Sequence, residues 1–421
     1  MWLRMAAVAV LATVPGVCAW AGTPLSLDDA FARVARQHPG LRLIEAEREQ
    51  RSAEADAARL RPPVQLGLDI ENALGQGELK GFDSAELTLS LAGVLERGDK
   101  AQARRDLAEQ RLAALAWQGQ AQRLDMLAET ARRYLSVCLA QDQLMLAEQD
   151  IAQRQRTVAA ARQRFQAGAS TESVWLSAQA ALARAELERE RQRLSLQAAR
   201  RHLALLWGQS SPDFDHASGQ LLVLPDIADF EQITELLRSA PELSQLVDRK
   251  RIAEARLQLA RSERAADVSW QIGVRRLQDS GDSGLVASIS VPLGSAARAA
   301  PGIRGAQAEL GMLEVQREVE QLSLQATLAD AHGRYRLAQA ELQALRTQVL
   351  PRMQKAERAA ESAYRAGALS YLEWAQLQGE LSLSRRQQWE AAFEAQRALI
   401  EIQRLTGQSF VLTAHSAGVT P

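Results

Sequence analysis

Two stretches of this chain, from about Gly98 to Arg164 and from about Gly302 to Arg365, contain few glycines and, Pro351 apart, no proline. At about 1.5 Å of rise per residue, helices over these stretches reach roughly 100 Å, several times the width of a small domain. Rods of that length cannot fold back into a compact globule without breaks. Leu324, Leu328, Ala331, Tyr335, Ala338, Leu342, Leu345 and Val349 alternate spacings of four and three, the seam of a coiled coil, and Val137, Leu144, Ile151, Val158 and Phe165 keep a seven-residue period. These residues are expected to hold helices together and to do no chemistry. The composition agrees: aromatics are 5% of the chain, while Ala, Leu, Gln, Arg and Glu dominate.

The rods belong to an internal duplication. RFQAGASTESVWLSAQAAL around Gly168 matches AYRAGALSYLEWAQLQGEL around Gly367, pairing Phe165 with Tyr364, Trp175 with Trp374, Gln179 with Gln378 and Leu182 with Leu381; Gly208 and Gly407 close the two segments. Pro39 matches Pro241, and the alternating run at Leu66 matches the one at Val268, more weakly. The expected division is a first repeat over 22–222, a second over 223–409 and a tail over 410–421.

Residues 1–21 read as an export signal: Arg4, an apolar run from Met5 to Val14, and Ala19-Trp20-Ala21 as the cleavage site. Lipidation at Cys18 is the alternative, but Pro15-Gly16-Val17 lacks the usual residues before such a cysteine. With cleavage after Ala21, Cys138 stands alone and no intrachain disulfide can form. Beyond the signal no apolar run is long enough for a transmembrane helix. Lys and Arg total 50 against 51 Asp and Glu, so no basic surface points to nucleic acid.

Short alternating runs interrupt the rods. Val64, Leu66, Leu68 and Ile70, then Leu87, Leu89 and Leu91 beyond Gly75, Gly77 and Gly81, predict one hairpin over about 64–92. Val268, Trp270, Ile272 and Val274, then Val286, Ile289 and Val291 beyond Gly281 and Gly284, predict another over about 266–292. Two readings stand. Each hairpin could lie on the helices with its polar face in water. Alternatively the apolar faces of Val64, Leu66, Leu68, Ile70, Val268, Trp270, Ile272 and Val274 could meet lipid, since strands of about nine residues cross a bilayer at a tilt. Four strands cannot close a barrel, and open edges in lipid leave backbone groups unpaired at several kcal/mol each, so the second reading requires oligomerisation.

His38-Pro39-Gly40-Leu41, Pro62-Pro63, Glu71-Asn72 and above all the run SAELTLSLAGVLERGDKAQAR from Ser84 to Arg104 resemble the TolC-like outer-membrane efflux family, in particular its CzcC-like cation-efflux branch. Val291-Pro292-Leu293 and Pro301-Gly302-Ile303 resemble the family's second strand-to-helix junction, with the usual Asn-Arg-Gly degraded to Ala299-Ala300-Pro301-Gly302. The resemblance implies a mainly α fold with a small β part. Long antiparallel coiled-coil helices would form a periplasmic tunnel, and two β-hairpins per chain would contribute to a trimeric transmembrane β-barrel in the outer membrane. It implies a homotrimer working with a periplasmic adaptor and an inner-membrane resistance-nodulation-division pump. Ala167, Gly168, Ala169, Ala366, Gly367 and Ala368 become the adaptor-contact tips, where glycine suits a tight turn with positive φ. Glu373, with Gln376 where some relatives carry a second acid, becomes the tunnel constriction; otherwise Glu373 is a solvated helix position.

No catalytic, cofactor or metal site is expected. His38, His202, His216, His332 and His415 show no metal-ligand spacing, and no phosphate-binding glycine motif or nucleophile elbow occurs. The function that the resemblance implies is a passive duct for heavy-metal cations, and the residues offer no sign of an enzyme. The alternatives are the same duct serving drug efflux or type I secretion, or a soluble periplasmic coiled-coil scaffold or adaptor.

Overall fold

The computed structural model of the protein describes residues 24–77 and 80–410. The expected signal at 1–21, Cys18, His415 and all of the tail but Phe410 lie outside them. A short strand β1 (Pro24–Leu25) leads into α1 (Leu27–Gln37) and α2 (Pro39–Arg59). Local chemistry sets both starts. The Ser26 hydroxyl accepts from the Asp29 amide at 3.0 Å in a capping box, and His38 Nδ1 accepts from the Gly40 amide at 3.0 Å with Pro39 in the first turn. Strands β2 (Gln65–Glu71) and β3 (Glu86–Leu95) follow, then α3 (Lys100–Gln166), 67 residues long, and α4 (Glu172–Ala204). After β4 (His216–Ala217), which pairs in parallel with β1, the order recurs: α5 (Phe230–Leu236), α6 (Pro241–Ser262), β5 (Val268–Leu277), β6 (Ser283–Ser290), α7 (Ser295–Ala344), α8 (Leu350–Ala366) and α9 (Tyr371–Thr406).

A π turn over Leu345–Val349 joins α7 to α8 and corrects the expected seam. Leu324, Leu328, Ala331, Tyr335, Ala338, Leu342 and Leu345 are buried as a seam should be, but Val349 is exposed and Leu350 is buried in its place. The cause is Pro351. It has no N–H to donate to the carbonyl four residues back, and the wider turn that absorbs this loss inserts one residue into the pattern.

In α3 the buried positions near the middle of the helix are Ala128, Ala131, Tyr134, Leu135, Val137, Cys138 and Ala140, packed on α1, α4 and α9. Leu144, Ile151, Val158 and Phe165, expected to continue the seven-residue seam, stay half-buried, because the smaller Ala147, Thr157, Ala160 and Ala161 take the closest approach. Tyr134 closes this core by donating to the Leu25 carbonyl at 2.9 Å. A second cluster, with Tyr335 at its centre, joins α5, α7 and α9.

Candidate functional site

The four longer strands form a single antiparallel sheet in the order β2-β3-β5-β6. Directly paired residues share a face. On one face Leu66, Leu68 and Ile70 stand opposite Leu91, Leu89 and Leu87, and these stand in turn beside Ile272, Val274 and Arg276, then Ala287, Leu285 and Ser283. This apolar face is outside: Leu66 is 72% exposed and Leu285 82%. The opposite face carries Asp69, Glu71, Glu86, Thr88, Ser90, Gln271, Arg275 and Ser288, and here Thr88 and Ser90 are 3% and 4% exposed. The sheet is the inverse of a soluble one, with leucines in the open and hydroxyls enclosed.

Curvature explains the enclosure. On the polar face Gly67, Ser90 and Gly273 sit in one row across three strands. A Cβ at Gly273 would lie 2.7 Å from the Leu89 carbonyl oxygen, so only glycine lets the sheet bend this tightly. On the apolar face the Trp270 ring covers Gly93, where a Cβ would come within 2.8 Å of it. Towards the loop ends of the strands the Arg275 guanidinium ties three strands on the polar side, donating to Thr88 Oγ1 at 3.0 Å, Glu86 at 2.7 Å and Glu71 at 2.9 Å.

The strand residues fall as follows. Leu66, Leu68, Ile70, Val268, Trp270, Ile272 and Val274 share the apolar face, and Val64 lies one residue before β2, 61% exposed. In β6 the apolar face is made by Leu285, Ala287 and Ile289; Val286 pairs with Gly273 on the polar face, and Val291 lies past the strand. The spacing of three between Val286 and Ile289 could not keep both on one side of a strand.

At the far end of the rods the two helix turns come together. Gly168 (φ 69°) turns α3 into α4 and Gly367 (φ 83°) turns α8 into α9; the Ala169 amide donates to the Arg164 carbonyl and the Ala368 amide to the Ala363 carbonyl, each at 2.9 Å. Ala167, Gly168, Ala169, Ala366, Gly367 and Ala368 are all exposed, and a groove of about 460 Å³ runs between the two turns. Arg164 crosses it, donating to the Tyr364 carbonyl and lying over the Tyr364 ring at 4.9 Å.

Glu373 and Gln376 are exposed in the first turns of α9. Glu373 closes a capping box: its carboxylate accepts from the Ser370 hydroxyl at 2.7 Å and from the Ser370 amide at 3.1 Å, and these bonds hold its pKa below the usual glutamate value. Gln376 donates to Glu380 at 3.2 Å. Behind them lies a buried polar seam that no sequence pattern announced: Glu357 accepts from Trp374 Nε1 at 3.2 Å and Gln153 at 2.6 Å, and Gln378 donates to Thr157 at 2.9 Å. Among the described residues no group of three His, Cys, Asp or Glu side chains could hold a metal ion, and no helix is long and apolar enough to cross a membrane.

Residues 32–209 match the outer membrane efflux protein family. Over 393 residues, 92% of this chain and 91% of the relative, it is 26% identical to the cobalt-zinc-cadmium resistance protein CzcC of Cupriavidus metallidurans. Both likenesses are to outer-membrane efflux and metal-resistance proteins. Solved structures of similar fold include CusC, with a TM-score of 0.76 at 18% identity over 92% of this chain and 93% of that one. VceC of Vibrio cholerae follows at 0.72 and 19%, over 91% and 97%. The likeness in fold covers both the sheet and the rods of this chain.

Proposed function

We propose that the protein is the passive outer-membrane exit duct of a tripartite pump for heavy-metal cations. The observation that carries the membrane reading is the sheet with its leucines outside and its hydroxyls within, set on helices of about 100 Å. Such a face suits lipid, and such an interior suits a wet lumen. A soluble scaffold or adaptor would have no use for either. Two repeats, 22–222 and 223–409, each supply one hairpin and one long helical turn, and three copies close the barrel as a homotrimer. The turns at Ala167–Ala169 and Ala366–Ala368 receive a periplasmic adaptor, which links the duct to an inner-membrane resistance-nodulation-division pump. Glu373 and Gln376 narrow the tunnel just behind these turns. No residue has a catalytic role: the duct conducts and the pump supplies the energy.

The likeness to CzcC favours divalent cations over drugs or secreted proteins as cargo. The test is growth of a strain lacking this chain on cobalt, zinc or cadmium and, separately, on hydrophobic drugs. Loss of metal resistance that returns on complementation supports the reading. Unchanged metal resistance with lost drug resistance would replace it by the drug-efflux duct.

A further inference from the structure

Two adjacent arginines of β5 stand on opposite faces of the sheet in opposite surroundings. Arg275, on the polar face, donates to Thr88, Glu86 and Glu71. Arg276, on the apolar face, is exposed, and its side chain makes no hydrogen bond or ion pair among the described residues. Strand pairing sets its neighbours: Leu87 of β3 on one side and Ser283 of β6 on the other, with Val274 two residues before it. Asp83, Asp279 and Asp282, exposed in the adjoining loops, do not pair with it. A cation thus stands among leucines with no counter-charge of its own.

Arg276 also marks a level. The row Ile70, Leu87, Arg276 and Ser283 is the last of the apolar face. The next positions outward on β3 and β5 are Ala85 and Gln278, joined where the Gln278 amide donates to the Ala85 carbonyl at 3.0 Å. Val268 lies at the start of β5, eight residues before Arg276, about 27 Å along the strand, enough at a tilt to cross most of an apolar band of about 25 Å. The opposite ends of all four strands lead to helices. On the channel reading above those helices are periplasmic, so the Arg276 row stands at the headgroups of the outer leaflet. An arginine facing hydrocarbon is costly at the bilayer midplane and tolerated at its border. At that border the membrane supplies its counter-charge, and a guanidinium grips a phosphate through two parallel N–H bonds.

The surroundings suit the rest of such a lipid. The Ser283 hydroxyl, exposed and unbonded, adds a donor beside the guanidinium. Towards the helices Val274 pairs with Leu285, and Ile272 with Ala287. Ala287 is the one small side chain between Leu285 and Ile289 on this face, so the β5–β6 pair offers an acyl chain a dip in line with the cation. We infer that Arg276, with Ser283, binds a phosphate of lipopolysaccharide, the phosphorylated glycolipid of the outer leaflet, with an acyl chain laid over Val274, Leu285 and Ala287. The inference rests on the channel reading and adds to it a lipid site of defined chemistry.

The test is the lipid that stays with the full-length protein on extraction from outer membranes in mild detergent. Wild type is expected to retain lipopolysaccharide, read as 3-hydroxy fatty acid per chain, and Arg276→Gln about tenfold less, for the loss of a bidentate charged pair. Arg276→Lys should fall between them. After the wild type is stripped of lipid, intact lipopolysaccharide should rebind, and lipopolysaccharide freed of its lipid A phosphates should not. Excess phosphatidylglycerol should leave the intact form in place. Equal rebinding of the two forms overturns the site and leaves the channel, and this arm decides even if Arg276→Gln fails to reach the membrane. Equal retention by wild type and an Arg276→Gln protein recovered from the outer membrane does the same. Displacement by phosphatidylglycerol overturns the assignment to lipopolysaccharide. A wild-type protein found in the soluble periplasm overturns the channel reading and the site with it.

Discussion

The two helix turns at the far end of the molecule carry the same motif and use it differently. At the first, Phe165 stacks on Trp175 with centroids 5.7 Å apart, both rings stay half-buried, and the enclosed Trp175 Nε1 has no acceptor. Thr171 starts α4 without a side-chain cap. At the second, Trp374 is fully buried, stacks on Tyr364 at 4.9 Å and donates to Glu357, and Ser370 starts α9 within a capping box. A duplicated sequence thus gives one turn anchored in its own core and one held largely through Arg164, which reaches from the first to the second. Duplication copies a motif but not its surroundings, and the surroundings decide its rigidity.

The largest expected effect breaks the anchored turn. Trp374→Ala removes a fully enclosed indole and leaves Glu357 short of a donor, and should cost about 3–5 kcal/mol of local stability. Trp175→Ala, at a half-buried site, should cost less than about 1.5 kcal/mol. Hydrogen exchange of the amides around each turn measures both, and equal losses would show that the turns do not differ. Arg164→Ala comes next, at about 1.5–3 kcal/mol for the charged hydrogen bond to the Tyr364 carbonyl. It should loosen the α3–α4 turn more than the α8–α9 turn, and the reverse order would mean that Arg164 serves the second.

Ser370→Ala should cost about 1 kcal/mol at the start of α9, whereas Thr171→Ala should change little, because Thr171 makes no cap bond to lose. Helix-start protection in the two variants separates the cases. The smallest effect is acid-dependent. Glu373 titrates below its usual value because it accepts from Ser370, so its contribution is present above the ordinary glutamate pKa and is lost as pH falls through its lowered one. Protection of the first-turn amides of α9, measured against their intrinsic exchange rates, should therefore weaken on acidification through the lowered pKa of Glu373, and Glu373→Gln should abolish that change.

Most of the architecture was legible because its signals are periodic. The rods followed from spacings of three and four, and the hairpins from alternation between turn glycines. What escaped depended on partners far along the chain. Glu357 reads like any helix-surface glutamate, and only the approach of Gln153 and Trp374 makes it a buried acceptor. The Arg275 bridge to Glu71 and Glu86 depends on the register of three strands, which the sequence does not print. Ser370-Tyr371-Leu372-Glu373 is different: the capping box is legible in the sequence, and the Glu373 carboxylate that the resemblance assigns to the tunnel also caps α9. Val349 failed for a local reason, the missing amide of Pro351.

The way β3 meets β5 has a consequence for the order of folding. β2 and β3 are neighbours in sequence, as are β5 and β6, so each hairpin can form early and locally. Joining Ala92 to Gln271 must wait, because α3, α4, α5 and α6 lie between them. The ends of that segment are brought together only when the helices have packed, and contacts of such separation form slowly. The greasy face is therefore completed last, after the water-soluble body that carries it. A chain bound for a lipid bilayer thereby keeps its membrane-seeking surface in two small pieces until the scaffold beneath is ready.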